Sequence, residues 1–303
     1  MRMRLLPPIL VLLALSPHPV IAEDVIAYGD LEPILNVCPL VGTRPAERRL
    51  QQLMFNGLMQ IRRVRVGDRI NLQYVPVLAE DFEYDEYSNE YVFTLRRRVE
   101  FHQGGYLSSR DIDSTVRLLT DPATQGADPF FRKYIESCRT QGREVRIRLK
   151  REPFDVMRLF TFPIISDDQV EDLGYGALSP VSLGDRWWRT DLVSEPVGTG
   201  PYRLNGELTP AGLEIIELER FDDYFDLPRD NTSRSGHIDE IAYKSYAYSD
   251  IETMMRHLED GRVIRFAAQS AGLDLDVYNT IEYGNDSVYY IGFNYRPDRA
   301  ISV

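Results

Sequence analysis

Hydrophobic positions along this chain follow a helical period in some stretches and a strand period in others. Over 46–60, Leu50, Met54 and Leu58 recur at the four-residue spacing of one helix face, which predicts an amphipathic helix with an apolar core-facing stripe. Over 90–101, apolar and polar positions alternate, which predicts a strand. The same patterns predict helices at 108–119, 130–138, 152–160 and 249–259, and strands at 24–28, 144–150, 202–204, 213–219, 238–243, 263–267 and 287–294. This mixture predicts an α/β or mixed α+β fold.

Polar breaks between these stretches predict where elements begin and turn. A hairpin is expected over 64–72 with its turn at Gly67 and Asp68, and a turn is expected over the acidic stretch 81–89. Ser108 is positioned to cap the helix that follows it. Asp111 lies in the first turn of that helix, where a negative charge is favoured.

The stretch 196–202, PVGTGPY, predicts a rigid backbone corner. Its two glycines tolerate positive φ, and Pro201 fixes the next φ near −65°. A purely structural corner is the simplest interpretation of such a cluster. His102 is interpreted in the same way, as a hydrogen-bonded structural residue.

The first residues have the pattern of an export signal. Arg2 and Arg4 precede an apolar run at 5–15, and small or short side chains lead up to an expected cleavage after Ala22. A signal anchor is the alternative, but the apolar run is shorter than a bilayer-spanning helix and contains prolines. We therefore expect a soluble, periplasmic mature protein.

Composition narrows the class of partner. The net charge of −12 argues against nucleic acid as a partner, because phosphate binding requires a basic surface. Cys38 and Cys138 form an even pair in a chain expected to be exported, which favours a disulfide between them. Two separate buried thiols are the alternative. No metal or cofactor motif is found.

Five segments, in order, resemble conserved segments of the family 5 extracellular solute-binding proteins, the receptors of oligopeptide, dipeptide and nickel import systems. They are 53–58 (LMFNGL), 76–80 (PVLAE), 91–112 (YVFTLRRRVEFHQGGYLSSRDI), 197–202 (VGTGPY), and 223–225 (DYF) with 238–241 (IDEI). The chain departs from the family pattern at two positions. Family members often have Gly-x-x-Asp at the end of the helix near residue 260, whereas Gly261 is followed here by RVIR. Phe225 stands where a Trp is usual. Family members also continue well beyond residue 303.

The resemblance implies a periplasmic-binding-protein-like class II clamp, of which this chain would hold the first lobe and a stub of the second. It implies a discontinuous domain I at 23–63 and 187–285, a domain II at 64–186, and the start of the truncated second lobe at 286–303. Such a receptor captures solute between its lobes by hinge closure and delivers it to an ABC permease in the inner membrane. We expect a peptide or other small solute, no cofactor, and a monomer.

The same resemblance places two segments at the cleft between the lobes. The ligand-binding candidates are Thr43, Arg44 and Pro45 before the first helix, and Ala268 and Gln269 after a strand. Arg44 could pair bidentately with a ligand carboxylate, or be a solvated surface charge. Trp187 and Trp188 are favoured as core residues over stacking residues.

Two other functions remain open from the sequence. The chain could be a one-lobed, truncated paralogue or an interaction module without transport function. A secreted hydrolase is the more distant alternative, since neither a Gly-x-Ser-x-Gly elbow nor a His-Glu-x-x-His motif occurs. We therefore expect no enzymatic activity. A single lobe is expected to bind peptides weakly or not at all.

Overall fold

The structure is a computed structural model that describes most of the chain up to residue 267. The described residues are 25–30, 33–39, 44–66, 69–122, 124, 128–173, 191–209, 214–226, 238–246, 248–259 and 265–267. Residues 1–267 form one compact unit. The export signal, Trp187, Trp188 and the strand expected at 287–294 lie outside the described residues.

A five-stranded sheet brings together strands from the two ends of this unit. Its members are β1 (Val25–Asp30), β8 (Tyr202–Leu204), β9 (Ile215–Arg220), β10 (Glu240–Ser245) and β11 (Arg265–Ala267). The order across the sheet is β11-β1-β10-β9-β8. β1 runs parallel to both of its neighbours, whereas β9 runs antiparallel to β10 and to β8.

Helix α1 (Pro45–Met54) covers this sheet with one apolar face. Ala46, Leu50 and Met54, spaced four residues apart, are fully buried. They pack with residues from two of the strands: Ile216 and Leu218 on β9, and Ile241 and Tyr243 on β10. Burial of this stripe, rather than helix propensity alone, holds the helix in place.

The helix predicted over 46–60 is shorter than its hydrophobic spacing indicated. It ends at Met54, whose carbonyl accepts a hydrogen bond from Gly200 N–H at 2.8 Å instead of continuing the helical ladder. Leu58 is buried in a different core, and residues from Met59 onward form a strand. A tertiary contact therefore overrides the local periodicity.

The predicted hairpin is confirmed as β2 (Met59–Val66) and β3 (Arg69–Pro76). Val66 pairs with Arg69, so the strands are joined by the two residues predicted to form the turn. These strands form a two-stranded sheet of their own, separate from the other two sheets.

A separate four-stranded sheet is entirely antiparallel. It consists of β4 (Ala79–Asp85), β5 (Glu90–Leu95), β6 (Ile135–Gln141) and β7 (Glu144–Leu149), in the order β4-β5-β7-β6. The predicted turn over 81–89 is confirmed only at residues 86–89, because residues up to Asp85 pair with β5. The strand predicted over 90–101 ends at Leu95, and its burial does not alternate, because Glu90 and Val92 are buried as well as Tyr91, Phe93 and Leu95.

Five further helices complete the described architecture. They are α2 (Ser109–Thr120), α3 (Pro129–Tyr134), α4 (Asp167–Leu173), α5 (Asp191–Ser194) and α6 (Ile251–Glu259), with short 3₁₀ turns at Met157–Phe160 and Tyr248–Asp250. The predicted cap of α2 is confirmed, since Ser108 Oγ accepts from Arg110 N–H at 3.2 Å. Asp111 completes the cap by accepting from Ser108 N–H at 2.7 Å.

Two other predicted helices are wrong in extent. The helix expected at 130–138 stops at Tyr134, because Ile135 onward pairs with β7 as an edge strand. The helix expected at 152–160 is reduced to the 3₁₀ turn, and Phe154, one of its apolar positions, is fully exposed. An apolar position that finds no core cannot stabilise an amphipathic helix.

The disulfide expected between Cys38 and Cys138 is not formed. Cys38 is buried beside α1, where its carbonyl accepts from Gln51 Nε2 at 3.0 Å. Cys138 lies half-buried on β6, opposite Ile147, and burial raises the pKa of its thiol to about 12. An even number of cysteines does not by itself bring two sulfurs into bonding geometry, which requires Cα atoms within about 7 Å.

Candidate functional site

The carboxyl ends of three parallel strands meet at one edge of the five-stranded sheet. Asp30 at the end of β1 is in register with Ser245 at the end of β10 and with Ala267 at the end of β11. In open α/β sheets, ligands bind outside this edge. This edge is therefore the candidate site.

A buried network of polar side chains fixes α1 against this edge. Arg49, on α1, donates from Nη2 to a carboxylate oxygen of Asp30, and from Nε to Tyr243 Oη at 3.2 Å. Tyr243 Oη donates to the same carboxylate oxygen of Asp30, which is almost fully buried. Burial and the hydrogen bond to Asp30 raise the pKa of Tyr243. Burial opposes the charge on Arg49, yet the contacts with Tyr243 and Asp30 hold its pKa above the ordinary value.

Glu47 ties the segment before α1 to the first turn of the helix. Its Oε1 accepts from the backbone N–H groups of Leu35 and Asn36 at 3.0 and 3.3 Å, and its Oε2 accepts from Arg44 N–H at 3.1 Å. Glu47 is buried, and these donors offset the cost of burying a carboxylate. The start of α1 is thus tied by hydrogen bonds to residues 35 and 36, in the segment between β1 and the helix.

Arg44 and Pro45 lie at this fixed start of the helix, and both are exposed. Arg44 is the N-cap, and Pro45 is the first helical residue, a position suited to proline because its missing N–H has no helical partner. The positive end of the helix dipole and the Arg44 guanidinium both favour an anionic group here. The arrangement is chemically suited to hold a carboxylate.

The structure does not describe the other three candidate residues. Thr43, Ala268 and Gln269 lie outside the described residues. Ala267, which directly precedes Ala268, ends β11 opposite Asp30. One candidate segment therefore continues directly from this edge, and the helix that begins with the other segment is tied to the edge through Arg49 and Asp30.

The glycine corner at 197–202 is a structural joint between the two cores. Gly198 N–H donates to His102 Nδ1 at 3.2 Å, and His102 Nε2 donates to Gly200 O at 3.0 Å. Asn56 Nδ2 donates to Thr199 O at 2.7 Å. Burial lowers the pKa of His102 to about 4, so the ring is neutral at physiological pH. The predicted structural roles of the corner and of His102 are confirmed, but neither Gly198 nor Gly200 has the positive φ that glycine permits.

Both glycines are required at the corner by close backbone approach. A Cβ on Gly198 would lie 2.0 Å from Met54 O, and a Cβ on Gly200 would lie 2.4 Å from Leu53 O. The corner is packed directly on the end of α1. The corner therefore fixes the carboxyl end of α1, and Arg44 lies at the amino end of the same helix.

Sequence reasoning missed the Asp30, Arg49 and Tyr243 network and the role of Glu47. Glu47 stands three residues after the N-cap, the spacing of a capping box, and that local signal could have been found. The network could not, since 194 positions separate Arg49 from Tyr243 in the chain. Within the described part of the chain, no group of three or more His, Cys, Asp or Glu side chains could hold a metal ion. The same residues include no helix long and apolar enough to cross a membrane.

A family model matches most of this chain. Residues 73–301 match the model described as bacterial extracellular solute-binding proteins, family 5 Middle. A search of curated proteins gives no match.

Solved structures share the fold at low sequence identity. The oligopeptide-binding protein AppA from Bacillus subtilis, in complex with a nonapeptide, has a TM-score of 0.62 at 19% identity and aligns 79% of this chain with 43% of that chain. NikZ from Campylobacter jejuni, in complex with Ni(L-His), has a TM-score of 0.63 at 16% identity, with 80% and 43% covered. DppA from Helicobacter pylori, an ABC transporter-associated periplasmic binding protein in complex with the peptide STSA, has a TM-score of 0.59 at 17% identity, with 79% and 45% covered.

These matches define a mixed α/β protein with the fold of class II periplasmic binding proteins, and the chain spans less than half the length of these three neighbours. The chain belongs to the bacterial extracellular solute-binding proteins of family 5. Its fold and family are those of binding proteins.

Proposed function

We propose that this chain is part of the substrate-binding component of an ABC-type importer that captures peptides between two lobes and delivers them to a permease in the inner membrane. The observation that carries the proposal is the exposed Arg44 at the start of α1, fixed beside the carboxyl edge of β11-β1-β10 in a family 5 fold. In this role the protein is monomeric, has no catalytic activity, and works in the periplasm after cleavage behind Ala22.

The proposed domain layout follows the division between the sheets. Strands β1 and β8–β11 would belong to a discontinuous domain I at 23–63 and 187–285, and β4–β7 to a domain II at 64–186. A second lobe would begin at 286. The proposed boundary between 63 and 64 falls inside β2, so the first crossing between domains runs through the hairpin.

The proposed ligand contacts are made by Thr43, Arg44, Pro45, Ala268 and Gln269. Arg44 would bind a peptide carboxylate through two parallel N–H···O bonds, a geometry that the planar guanidinium supplies and an ammonium does not. Several features support Arg44: it is exposed, it caps a ten-residue helix, and Glu47 holds its backbone in place.

The test is calorimetric titration of short peptides into the protein carrying both lobes, with Arg44→Gln as the variant. We expect the affinity to fall about tenfold to a hundredfold, because a charge-assisted hydrogen bond to a carboxylate contributes about 1.5–3 kcal/mol. Arg48→Gln is the matched control, since Arg48 is also exposed on α1. Equal losses in both variants, or turnover of the peptides, would contradict the proposal.

Residues 23–303 alone are expected to bind peptides weakly. A single wall of a cleft leaves much of the ligand surface in water, and ligand sites typically bury most of it. Tight calorimetric binding by this chain alone would show that it encloses a complete site.

A further inference from the structure

The hairpin β2–β3 leaves the body of the protein as an arm. At its root, Met59 is buried and Val75 is half-buried. From Ile61 and Arg62 on one strand, and Leu72 on the other, the described side chains become exposed. The paired ladder continues from there to Val66 and Arg69. At about 3.3 Å per residue, the part beyond the root is on the order of 20 Å long.

The arm is basic in an acidic protein. Residues 59–76 contain four arginines, at 62, 63, 65 and 69, and a single acidic residue, Asp68. The whole chain has a net charge of −12. With four arginines and one aspartate, the arm carries a net charge of +3 and is opposite in sign to the chain as a whole.

Arg62 on the arm forms an ion pair with Asp226 at 3.2 Å. The Arg62 side chain is 46% exposed and that of Asp226 is 53% exposed. Water screens an ion pair this exposed, so it contributes little to stability. Arg62 can therefore exchange Asp226 for an external anionic group at low cost.

The arm also presents apolar side chains to solvent. Ile61 is 47% exposed and Leu72 is 61% exposed. Ile61 pairs with Tyr74, two residues from Leu72, so Ile61 and Leu72 lie on the same face of the hairpin. Arg63 pairs with Leu72 and belongs to this face, whereas Arg62 belongs to the opposite face. A face that combines basic and aliphatic residues matches a membrane surface, which has an anionic headgroup layer over apolar chains.

We propose that the β2–β3 arm docks the protein on a bilayer of anionic phospholipid. The arginines would bind headgroup phosphates, and Ile61 and Leu72 would enter the headgroup boundary without crossing the membrane. The acidic remainder of the chain is repelled by the same surface, so the arm sets the orientation of the molecule. This surface is separate from the ligand edge, and its occupation requires no solute.

The test is cosedimentation of the purified chain with vesicles of mixed phosphatidylglycerol and phosphatidylcholine, compared with vesicles of phosphatidylcholine alone. The variant is Arg62→Gln with Arg63→Gln and Arg65→Gln. Each basic residue near an anionic surface contributes about a fivefold factor to binding, so we expect the variant to bind the anionic vesicles about 100-fold more weakly. All proteins begin at residue 23, because the apolar run at 5–15 would itself bind vesicles and hide the contribution of the arm.

The control changes net charge by the same amount elsewhere on the molecule. Arg97, Arg110 and Arg151 are exposed and lie outside the arm, and their triple replacement by Gln should leave binding within a fewfold of the parent. Equal losses in the two triple variants would overturn the proposal, because they would reflect net charge alone. Equal binding by the parent and the arm variant would overturn it as well.

Two further measurements keep the proposal testable if the arm variant folds poorly. Binding of the parent should weaken steeply as salt is raised, because salt screens contacts between exposed charges. Ile61→Ser with Leu72→Ser changes only exposed side chains and should weaken the binding that survives at high salt. Salt-independent binding of the parent, or unchanged binding of this double variant, would overturn the proposal.

Discussion

At the scale of single residues, the glycine corner shows how a local motif acquires a specific meaning. The sequence predicted a rigid turn at 197–202, but the turn alone did not say what lies against it. In the structure, the backbone of α1 fills the space in which a side chain would stand. Gly200 is required because of its neighbours, and only the folded chain supplies those neighbours.

Gly200→Ala is expected to lower the free energy of unfolding by on the order of 3 kcal/mol, because backbone atoms of Leu53 and Met54 would have to move. Gly206→Ala is the matched control. Gly206 has a φ of +94° but no atom near the added Cβ, so it should lose only about 1 kcal/mol of backbone strain. Urea denaturation measures both, and equal losses would contradict the steric explanation.

His102 gives a prediction for pH. Its pKa falls from 6.5 in the unfolded chain to about 4 in the folded protein, chiefly through burial. The folded state therefore binds fewer protons. The stability contributed by the neutral ring is complete above pH 6.5 and is lost as the pH falls toward 4, by about 3 kcal/mol in total.

His102→Gln removes this titration. The variant should be less stable than the parent at pH 7, since glutamine cannot make both ring contacts. Between pH 6.5 and 4, however, its free energy of unfolding should fall by about 3 kcal/mol less than that of the parent. Urea titrations at a series of pH values measure this, and parallel curves for the two proteins would show that His102 is not the titrating group.

At the scale of elements, predictions succeeded where the signal was local. The start of α2 followed from Ser108 and Asp111, and the hairpin turn followed from Gly67 and Asp68. Predictions failed where a distant segment decided the outcome. The end of α1 depends on Gly200, and the end of α3 depends on the pairing of Ile135 with β7.

Ser108→Ala should destabilise the protein by about 1 kcal/mol, because the first turn of α2 loses a hydrogen-bond acceptor for Arg110 N–H. The neighbouring Ser109→Ala is the control. Ser109 is the first residue inside the helix, and its replacement should change stability by less than about 0.5 kcal/mol. A larger loss of stability for Ser109→Ala than for Ser108→Ala, measured by thermal unfolding, would show that Ser108 is not the cap.

At the scale of the whole molecule, the sequence predicted the mixed fold and its family but not the order of the strands. Parallel pairing of β1 with β10 and β11 joins segments that are far apart in the chain, and no local pattern encodes it. The candidate edge, to which α1 is tied through Arg49 and Asp30, emerges only from that pairing. The disulfide prediction failed for a related reason, since residue count does not encode distance.

The structure predicts that a reducing agent leaves thermal stability unchanged, because Cys38 and Cys138 are not bridged. A disulfide closing a loop of roughly 100 residues would contribute about 4.7 kcal/mol, and its reduction would lower the melting temperature by about 10 °C. Thermal unfolding with and without dithiothreitol distinguishes the two cases. A large drop in melting temperature with dithiothreitol would contradict this prediction and show that the two cysteines are bridged.

The pairing of β1 also determines when this protein can fold during its synthesis. Residue 25 has residue 240 as its strand partner, and the far side of β1 waits for residues 265–267. β1, the first strand among the described residues, therefore has no partner until nearly the whole described chain has been made. Such non-local pairing folds slowly. The five-stranded sheet consequently closes late, whereas the strands β4–β7 have all their strand partners once residue 149 has been made.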